Sequence, residues 1–204
     1  MSKRYFVAGI GTGVGKTVAS AILCKALQAA YWKPLQSGDL EFGDTDRVNT
    51  LLNDEKQISF PEAYRLPYPI SPHASAERAG VNIDIEKIIV PNHNRTLIIE
   101  GAGGLMVPLR YDLLYLDLIP RFEAEVILVS RHYLGSINHT LLSIEALKSR
   151  NIKVKGILFN GSEVAETEKV ITQYSPWPIL GRIDETQEPD AAFVNEQALK
   201  FTAL

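Results

Sequence analysis

The sequence predicts an α/β fold, with a doubly wound, mainly parallel sheet that carries helices on both faces. Apolar runs typical of strands alternate with helical patterns along the whole chain, which is the order of parallel strand–helix–strand units. Some of these runs are apolar throughout, as expected for strands buried on both faces, and the clearest is Val-Ile-Leu-Val at residues 126–129. A glycine-rich turn joins the first strand to the first helix, where such folds bind phosphate.

Six strands and six helices are predicted in alternation, with no repeat or linker between them. The strands are predicted at residues 4–8, 30–33, 96–100, 126–130, 155–160 and 179–183. The helices are predicted at residues 17–28, 45–52, 83–90, 137–150, 165–174 and 191–201. The proline-rich residues 61–72 predict a long surface loop. A length of 204 residues suits one core, so we expect residues 1–204 to form a single α/β domain.

Composition and charge argue against several classes of protein. A net charge of −3 disfavours a dedicated nucleic-acid surface, which would be basic. No apolar run approaches the roughly 18 residues that a membrane span needs, and glycines interrupt the run that starts at Tyr5 too early for a signal peptide. The single cysteine, Cys24, cannot form an intrachain disulfide and fits a reducing compartment. We therefore expect a cytoplasmic protein without nucleic-acid or membrane partners.

Residues 9–17, Gly-Ile-Gly-Thr-Gly-Val-Gly-Lys-Thr, form the most informative motif. The turn lies between a strand and a helix, so its backbone N–H groups lie at the positive end of the helix dipole. The motif predicts a fold of the phosphate-loop nucleotide-hydrolase type, in which Lys16 reaches the outer phosphates and the Thr17 hydroxyl binds Mg²⁺. Ile10 stands where the strict pattern has glycine, so the loop is a variant that begins at Gly9. The alternative, a flexible turn without a ligand, is disfavoured by the Lys-Thr pair in this context.

Two polar residues follow the second predicted strand. Lys33 ends that strand at the rim where the phosphate loop opens, because ligands of such sheets bind at the carboxyl ends of the strands. Residues 34–38, Pro-Leu-Gln-Ser-Gly, then fix a turn that directs the Ser37 hydroxyl into the same crevice. A surface lysine without a role is the alternative for Lys33, and the neighbouring serine makes that alternative less favourable.

Acidic residues at the same rim are candidates for holding a metal ion. Glu100 ends the third strand, where phosphate-loop enzymes carry the Walker B carboxylate, and an unpaired glutamate on a buried strand would be costly. Asp46 lies in the first turn of the second helix, where it serves either the helix dipole or Mg²⁺ as an oxygen ligand. Asp44 or Thr45 could be the N-cap of that helix. We expect Thr17, Asp46 and Glu100 to surround one Mg²⁺.

The fifth strand ends in Asn160-Gly161, which is either a simple turn signal or an amide placed to contact adenine. The four histidines show no zinc-ligand spacing, and the chain has no pair of cysteines. A Gly-x-Ser-x-Gly elbow, which would indicate a serine hydrolase, is also missing from the sequence. The candidate chemistry therefore centres on the phosphate loop.

These motifs together resemble those of the dethiobiotin synthetases over most of the chain. The matching segments are residues 9–17, Trp-Lys-Pro-Leu-Gln-Ser-Gly at 32–38, Thr-Asp at 45–46, Ser-Pro-His at 71–73, Glu-Gly-Ala-Gly-Gly at 100–104, Leu-Gly-Ser-Ile-Asn-His at 134–139 and Gly-Ile-Leu-Phe-Asn-Gly at 156–161. The phosphate loop alone is common to many ATPases. The combination of Lys-Pro-x-Gln-Ser-Gly, Ser-Pro-His and Glu-Gly-Ala-Gly-Gly is far more specific.

The resemblance implies that ATP and CO₂ convert 7,8-diaminononanoate into dethiobiotin, ADP and phosphate. A carbamate formed on one amine takes the γ-phosphate to give a carbamic–phosphoric anhydride, and the second amine then displaces phosphate. Lys33 would hold the carbamate and the transferring phosphate, with Lys16 and Mg²⁺ on the triphosphate. Members of this family are homodimers, and residues 134–138 would offer the N–H groups of a helix start to the substrate carboxylate in the other subunit.

The resemblance also implies the composition of each subsite. The catalytic residues would be Lys33 and Lys16, and the metal ligands would be Thr17, Asp46 and Glu100. The residues expected to contact the nucleotide are Gly13, Val14, Gly15, Lys16, Thr17, Val18, Asp46, Glu100, Gly101, Ala102, Gly103, Asn160 and Gly161. The residues expected to contact the substrate are Ser37, Gly135, Ser136, Ile137 and Asn138.

Two other interpretations share the phosphate loop. A partition or septum-positioning ATPase would carry a second lysine five residues before the invariant one, and Gly11 occupies that position here. A kinase of a small metabolite is compatible with the loop alone. ATP cleavage that requires both the diamine and bicarbonate would separate the synthetase from both alternatives.

Overall fold

The computed structural model describes residues 2–204. Its strands are β1 (Arg4–Gly9), β2 (Ala30–Trp32), β3 (Leu35–Ser37), β4 (Ser59–Phe60), β5 (Tyr64–Leu66), β6 (Leu97–Gly104), β7 (Pro108–Arg110), β8 (Leu113–Leu114), β9 (Glu125–Arg131), β10 (Val154–Asn160) and β11 (Ile179–Ile183). Its α-helices are α1 (Lys16–Leu27), α2 (Asp44–Leu52), α3 (Pro72–Arg78), α4 (Tyr115–Leu118), α5 (Ser136–Ser149), α6 (Ala165–Tyr174) and α7 (Ala191–Ala198).

Seven strands form the central sheet in the order β11-β10-β9-β1-β6-β2-β4, and every pair in it is parallel. From β1 the chain first builds the half that contains β2, β4 and β6, and then crosses to build β9, β10 and β11. Right-handed crossovers that run in opposite directions place their helices on opposite faces. The predicted doubly wound sheet is confirmed, and the reversal next to β1 is where such folds bind ligands.

The core explains why these segments are strands and helices. The side chains of residues 126–129 in β9 are completely buried, as are those of residues 97–99 in β6. In α1, Ala19, Ile22 and Leu23 are also fully buried, so the helix presents an apolar stripe to the sheet. Burial on both faces of the sheet matches the unbroken apolar runs of the sequence.

All six predicted strands are present in the structure, and their ends shift by a few residues at most, except that β6 continues to Gly104. The prediction of a helix at residues 83–90 is wrong, because only the single 3₁₀ turn Ile85–Lys87 forms there. The backbone of Asp84 is held in an extended conformation by the Tyr64 hydroxyl, which accepts from its N–H at 2.8 Å. That tertiary contact competes with helix formation.

The expected loop at residues 61–72 is only partly a loop. Residues Tyr64–Leu66 form β5, which pairs in parallel with β3, and Ser37 is the register partner of Leu66. The completely buried Leu66 anchors this two-stranded unit against the core. Among residues 2–204, no helix combines the length and apolar character needed to cross a membrane.

Candidate active site

The phosphate loop, residues 10–15, connects β1 to α1 and adopts backbone angles that require glycine. Gly13 has φ +73° and Gly15 has φ +92°, both in the left-handed region. Gly15 is the residue before the first turn of α1, so the loop delivers its N–H groups to the start of that helix. The Lys16 ammonium folds back over the loop and donates to the Gly11 carbonyl at 2.9 Å.

The end of β10 supports this loop from behind. The Asn160 side chain donates from Nδ2 to the Val14 carbonyl at 2.9 Å. A Cβ atom at Gly15 would collide with the same Nδ2, so glycine is required there on grounds of space as well as backbone angle. Gly161 donates its backbone N–H to Ile183 at 2.9 Å, which ties this turn to β11. Asn160 therefore holds the loop in shape, a contact that the sequence analysis did not foresee.

A buried cluster of charged and hydroxyl groups lies beside the start of α1. The Lys33 ammonium is 2.6 Å from Asp44 Oδ2 and 3.2 Å from Glu100 Oε1. The Thr17 hydroxyl lies 2.9 Å from the same Glu100 oxygen and 3.2 Å from Asp44 Oδ1. Lys33 and Glu100 are only 3% and 1% exposed, so their charges face one another with little water between them. Four elements converge here: α1, the end of β2, the middle of β6, and the start of α2.

The carboxylate that joins this cluster is Asp44, whereas the sequence analysis assigned the position to Asp46. Asp46 instead accepts the Gly43 backbone N–H at 2.9 Å and so caps the start of α2. The two residues differ by two positions in the first turn of one helix, and therefore point in different directions. Gln36 fixes the choice, because its Oε1 accepts the Asp44 backbone N–H at 3.3 Å and holds the helix start against β3.

The charges of the cluster set the protonation states of its members. Burial alone would lower the pKa of Lys33, but the nearby Glu100 and Asp44 outweigh it and raise that pKa above its ordinary value. Burial acts against the charged form of Asp44 too, yet the Lys33 ammonium and the hydrogen bonds from Lys33 and Thr17 bring its pKa below the usual range. Burial lowers the pKa of Lys16 to about 8, with Lys33 adding to the effect and Glu100 opposing it.

Tyr31 completes the environment of Glu100. Its side chain is fully buried in β2, and its hydroxyl donates to Glu100 Oε2 at 2.9 Å. Burial and the neighbouring Glu100 charge raise the pKa of Tyr31 well above its ordinary value, so the hydroxyl keeps its proton. The sequence carries no signal for this role, since Tyr31 lies in a short apolar run and is indistinguishable there from core.

A cavity of about 670 Å³ opens above the cluster at the carboxyl ends of the strands. Among the residues expected at the site, those that line it are Gly13, Gly15, Lys16, Thr17, Val18, Lys33, Ser37, Glu100, Ala102 and Gly103. The Ser37 Oγ atom is buried and has no hydrogen-bond partner among residues 2–204, which marks it as a group available to a ligand. Pro69, Ile70 and Val107 give one part of the wall an apolar surface.

The remaining predicted residues lie elsewhere. Val14 is buried beneath the phosphate loop, and Gly101 packs against the Phe6 ring, where a Cβ atom would come within 2.9 Å. Residues 135–138 form the start of α5 and are not part of the cavity lining. Asp46, Asn160 and Gly161 also lie outside the cavity lining. Within one chain, therefore, the cavity brings together both lysines, Ser37 and most of the expected phosphate-loop positions, and the start of α5 lies apart from it.

The donor atoms of the cluster suit Mg²⁺. Residues 2–204 contain no group of three or more histidine, cysteine, aspartate or glutamate side chains that could hold a metal ion unaided. Mg²⁺ commonly binds one or two carboxylates and completes its coordination with substrate phosphates and water. Thr17, Asp44 and Glu100 supply such a set of oxygen atoms beside the loop that would hold the phosphates, and the Thr17 hydroxyl lies within 3.2 Å of both carboxylates.

A variant phosphate loop that follows β1, beside a carboxylate carried by the adjacent β6, defines a phosphate-loop ATPase. A family model described as an AAA domain matches residues 3–192. The sequence is 52% identical over 201 residues to the ATP-dependent dethiobiotin synthetase BioD of Christiangramia forsetii, covering 98% of this chain and 97% of that relative. It is 48% identical to the enzyme of the same name from Cytophaga hutchinsonii, covering 98% and 97% of the two chains. The chain belongs to the ATP-dependent dethiobiotin synthetase family.

Solved structures of other ATPases share the fold. A ParA family ATPase from Chlorobium tepidum superposes with a TM-score of 0.62 at 14% identity, covering 98% of this chain and 99% of that one. The septum site-determining protein MinD of Pyrococcus horikoshii, solved with Mg-ADP, gives a TM-score of 0.59 at 16% identity and covers 97% and 95%. At these identities the likeness shows the fold alone, so it does not favour the partition-ATPase interpretation.

Proposed function

We propose that this protein uses ATP and CO₂ to convert 7,8-diaminononanoate into dethiobiotin, ADP and phosphate. The observation that carries the proposal is the position of Lys33, a buried ammonium held across the crevice from the phosphate loop by Asp44 and Glu100. A general ATPase needs the loop lysine but has no need of a second fixed cation at this point. An enzyme that joins two anions does need one.

The reaction explains the need for this second cation. A substrate amine adds to CO₂ and loses a proton to give a carbamate anion, which must approach the anionic γ-phosphate. A carbamate oxygen forms a bond to phosphorus as the bond to ADP breaks, and the second amine then attacks the carbonyl carbon and expels phosphate. An ammonium has three N–H donors, and Asp44 and Glu100 occupy two of those on Lys33. The third is free for the carbamate or the transferring phosphate.

Lys16 serves the other reactant. Its ammonium rests on the Gly11 carbonyl at 2.9 Å, at the entrance of the loop that would receive the triphosphate. We propose that Thr17, Asp44 and Glu100 hold Mg²⁺, which when bound neutralises charge on the outer phosphates. Asp44 takes the place that the sequence analysis gave to Asp46. The nucleotide base would lie toward the Asn160-Gly161 turn, at the end of β10 next to the loop.

The substrate would extend from Ser37 along the apolar wall of the cavity. The unpartnered Ser37 hydroxyl can hydrogen-bond to the carbamate or the adjacent amine. Ile70 and Val107 offer apolar contact to the carbon chain. We propose a homodimer in which the start of α5, at residues 135–138, closes the substrate site of the other subunit and offers its N–H groups to the carboxylate. We further propose that residues 1–204 act as one ATP-binding domain in the cytoplasm.

A coupled assay tests this function. Purified protein should form dethiobiotin and ADP in a one-to-one ratio only when the diamine, bicarbonate, Mg²⁺ and ATP are all present. ATP cleavage without bicarbonate should be negligible, whereas a kinase would phosphorylate the diamine without it. ADP release that does not respond to diamine or bicarbonate would contradict the proposal and leave only an ATPase.

A further inference from the structure

The two oxygen atoms of Glu100 have different partners. Oε1 faces the crevice, where it contacts the Thr17 hydroxyl at 2.9 Å and the Lys33 ammonium at 3.2 Å. Oε2 faces away from the crevice and accepts from the Tyr31 hydroxyl at 2.9 Å. One carboxylate thus connects the buried interior of the sheet to the reactive face of the site.

These separate contacts of Oε1 and Oε2 require that the Glu100 carboxylate keeps one orientation. The terminal torsion of a glutamate side chain is broad and roughly two-fold, so the rotamer alone does not decide which oxygen points where. Tyr31 is buried in β2, and Tyr31 and Ile98 are register partners between β2 and β6. The pairing of β2 with β6 places the Tyr31 hydroxyl beside Glu100, and its hydrogen bond holds Oε2 in one place.

We propose that Tyr31 is a positioning residue for metal binding: its hydrogen bond to Oε2 orients Glu100 so that Oε1 meets the cation at the phosphate loop. The inference rests on the proposed magnesium site and concerns how that site is held. Residues that orient metal ligands from behind commonly change metal affinity by about 10–100-fold when they are removed. Tyr31 touches neither substrate nor nucleotide in this arrangement, so its effect must pass through Glu100.

The test is direct metal binding by the whole protein. Mn²⁺ replaces Mg²⁺ as the probe, and the free ion is counted by electron paramagnetic resonance in the presence of a non-hydrolysable ATP analogue. Tyr31→Phe removes one oxygen atom and keeps the ring, so the packing of β2 is retained. We expect the dissociation constant for Mn²⁺ to rise by about 10-fold or more, while the affinity for the analogue without metal stays within twofold of the wild type.

Two matched variants separate positioning from a general loss of a buried hydroxyl. Tyr5→Phe removes a hydroxyl that donates to the Leu204 carbonyl at 3.3 Å, far along the sheet from the loop. Tyr115→Phe removes a buried hydroxyl that has no partner among residues 2–204. Both should bind Mn²⁺ within twofold of the wild type. Their melting temperatures report any structural cost that Tyr31→Phe shares with them.

The outcomes are distinguishable. If the wild type binds one Mn²⁺ with the analogue and Tyr31→Phe binds it equally well, the positioning role is wrong and the proposed function stands. An equal loss of affinity in all three variants also overturns the inference, because it would show a structural effect. If the wild type itself binds no Mn²⁺ with the analogue, the proposed metal site fails and the inference fails with it.

Discussion

Replacing Lys33 by alanine removes the cation that the proposed chemistry requires at the carbamate. The loss of one preorganised charge-stabilising donor commonly reduces turnover by roughly 10²–10³-fold. We therefore expect dethiobiotin formation to fall by about that factor, while Mg-ATP binds within a few-fold of the wild type. The reason for this separation is that, in the proposed mechanism, Lys16 and the backbone of the loop hold the phosphates, whereas Lys33 reaches only the transferring group and its acceptor.

The same substitution should also destabilise the protein. Lys33 is 3% exposed and pairs with Asp44 at 2.6 Å and Glu100 at 3.2 Å, so its removal leaves two carboxylates near each other without a cation. Breaking a buried pair costs about 3–5 kcal/mol, and in a chain of this size each kcal/mol shifts Tm by about 2–4 °C. The loss in Tm should therefore be roughly 6–20 °C, and Mg²⁺ should restore part of it by supplying the missing charge.

The assay measures dethiobiotin by mass spectrometry and nucleotide affinity by calorimetry, at a temperature well below the Tm of each variant. Lys25→Ala is the matched control, because Lys25 is half-exposed and lies 3.9 Å from Asp54, a pair worth at most about 1 kcal/mol. Lys33→Met keeps the aliphatic stem and should lose as much turnover as the alanine variant. Dethiobiotin formation at the normal rate by folded Lys33→Ala would refute the assigned role of this lysine.

Three further outcomes follow from the same geometry. Asp44→Asn should reduce magnesium-dependent turnover by roughly 10²-fold. Asp46→Asn should leave turnover within a few-fold, because the amide oxygen can still accept the Gly43 N–H that caps α2; Mg²⁺ titrations that rank the two variants the other way would favour Asp46 as the ligand. ATP affinity should be constant below about pH 8 and fall as the pH rises above it, because the Lys16 ammonium, whose pKa is about 8, is needed to bind the phosphates. Calorimetry in buffers of different ionisation enthalpy should detect proton uptake on ATP binding near that pH. Binding without proton uptake would contradict this expectation. Mixing inactive Lys33→Ala with inactive Asn138→Glu protein should recover up to about a quarter of wild-type activity. Random exchange of subunits makes half of the dimers mixed, and each mixed dimer has one complete site out of two. If no activity is recovered, the two subunits do not share a site.

The sequence predicts the sheet well because its strands are buried on both faces and therefore apolar throughout. The fully apolar residues 126–129 and 97–99 are typical of buried strands, and the helices between the strands predict that the strands are parallel. The short elements are not predictable in this way. β3 and β5 exist because they pair with each other across the 26 residues that separate Ser37 from Tyr64, and nothing local in either segment specifies a partner.

The residues of the candidate site likewise include some that the sequence can predict and some that it cannot. The loop, Lys33 and Glu100 can be proposed from the sequence because each follows a short apolar run, and the fold brings these positions to one edge of the sheet. That Asp44, and not Asp46, contacts Lys33 and Thr17 depends on tertiary contacts such as the one from Gln36 in β3, which no spacing rule contains. The role of Tyr31 cannot be predicted from the sequence for a different reason. Its hydroxyl is the polar tip of an otherwise apolar ring, and only the folded structure places that hydroxyl against Glu100.

The charged side chains that line the cavity have a consequence for how quickly the nucleotide arrives. They are three cations, Lys16, Lys33 and Arg47, and three anions, Asp39, Asp44 and Glu100. Because these charges cancel and Arg47 and Asp39 lie 3.4 Å apart, the crevice exerts little attraction on a distant polyanion. The rate of association with ATP should therefore depend weakly on ionic strength. ATP would reach the phosphate loop by diffusion alone, and short-range hydrogen bonds at the loop would then hold it.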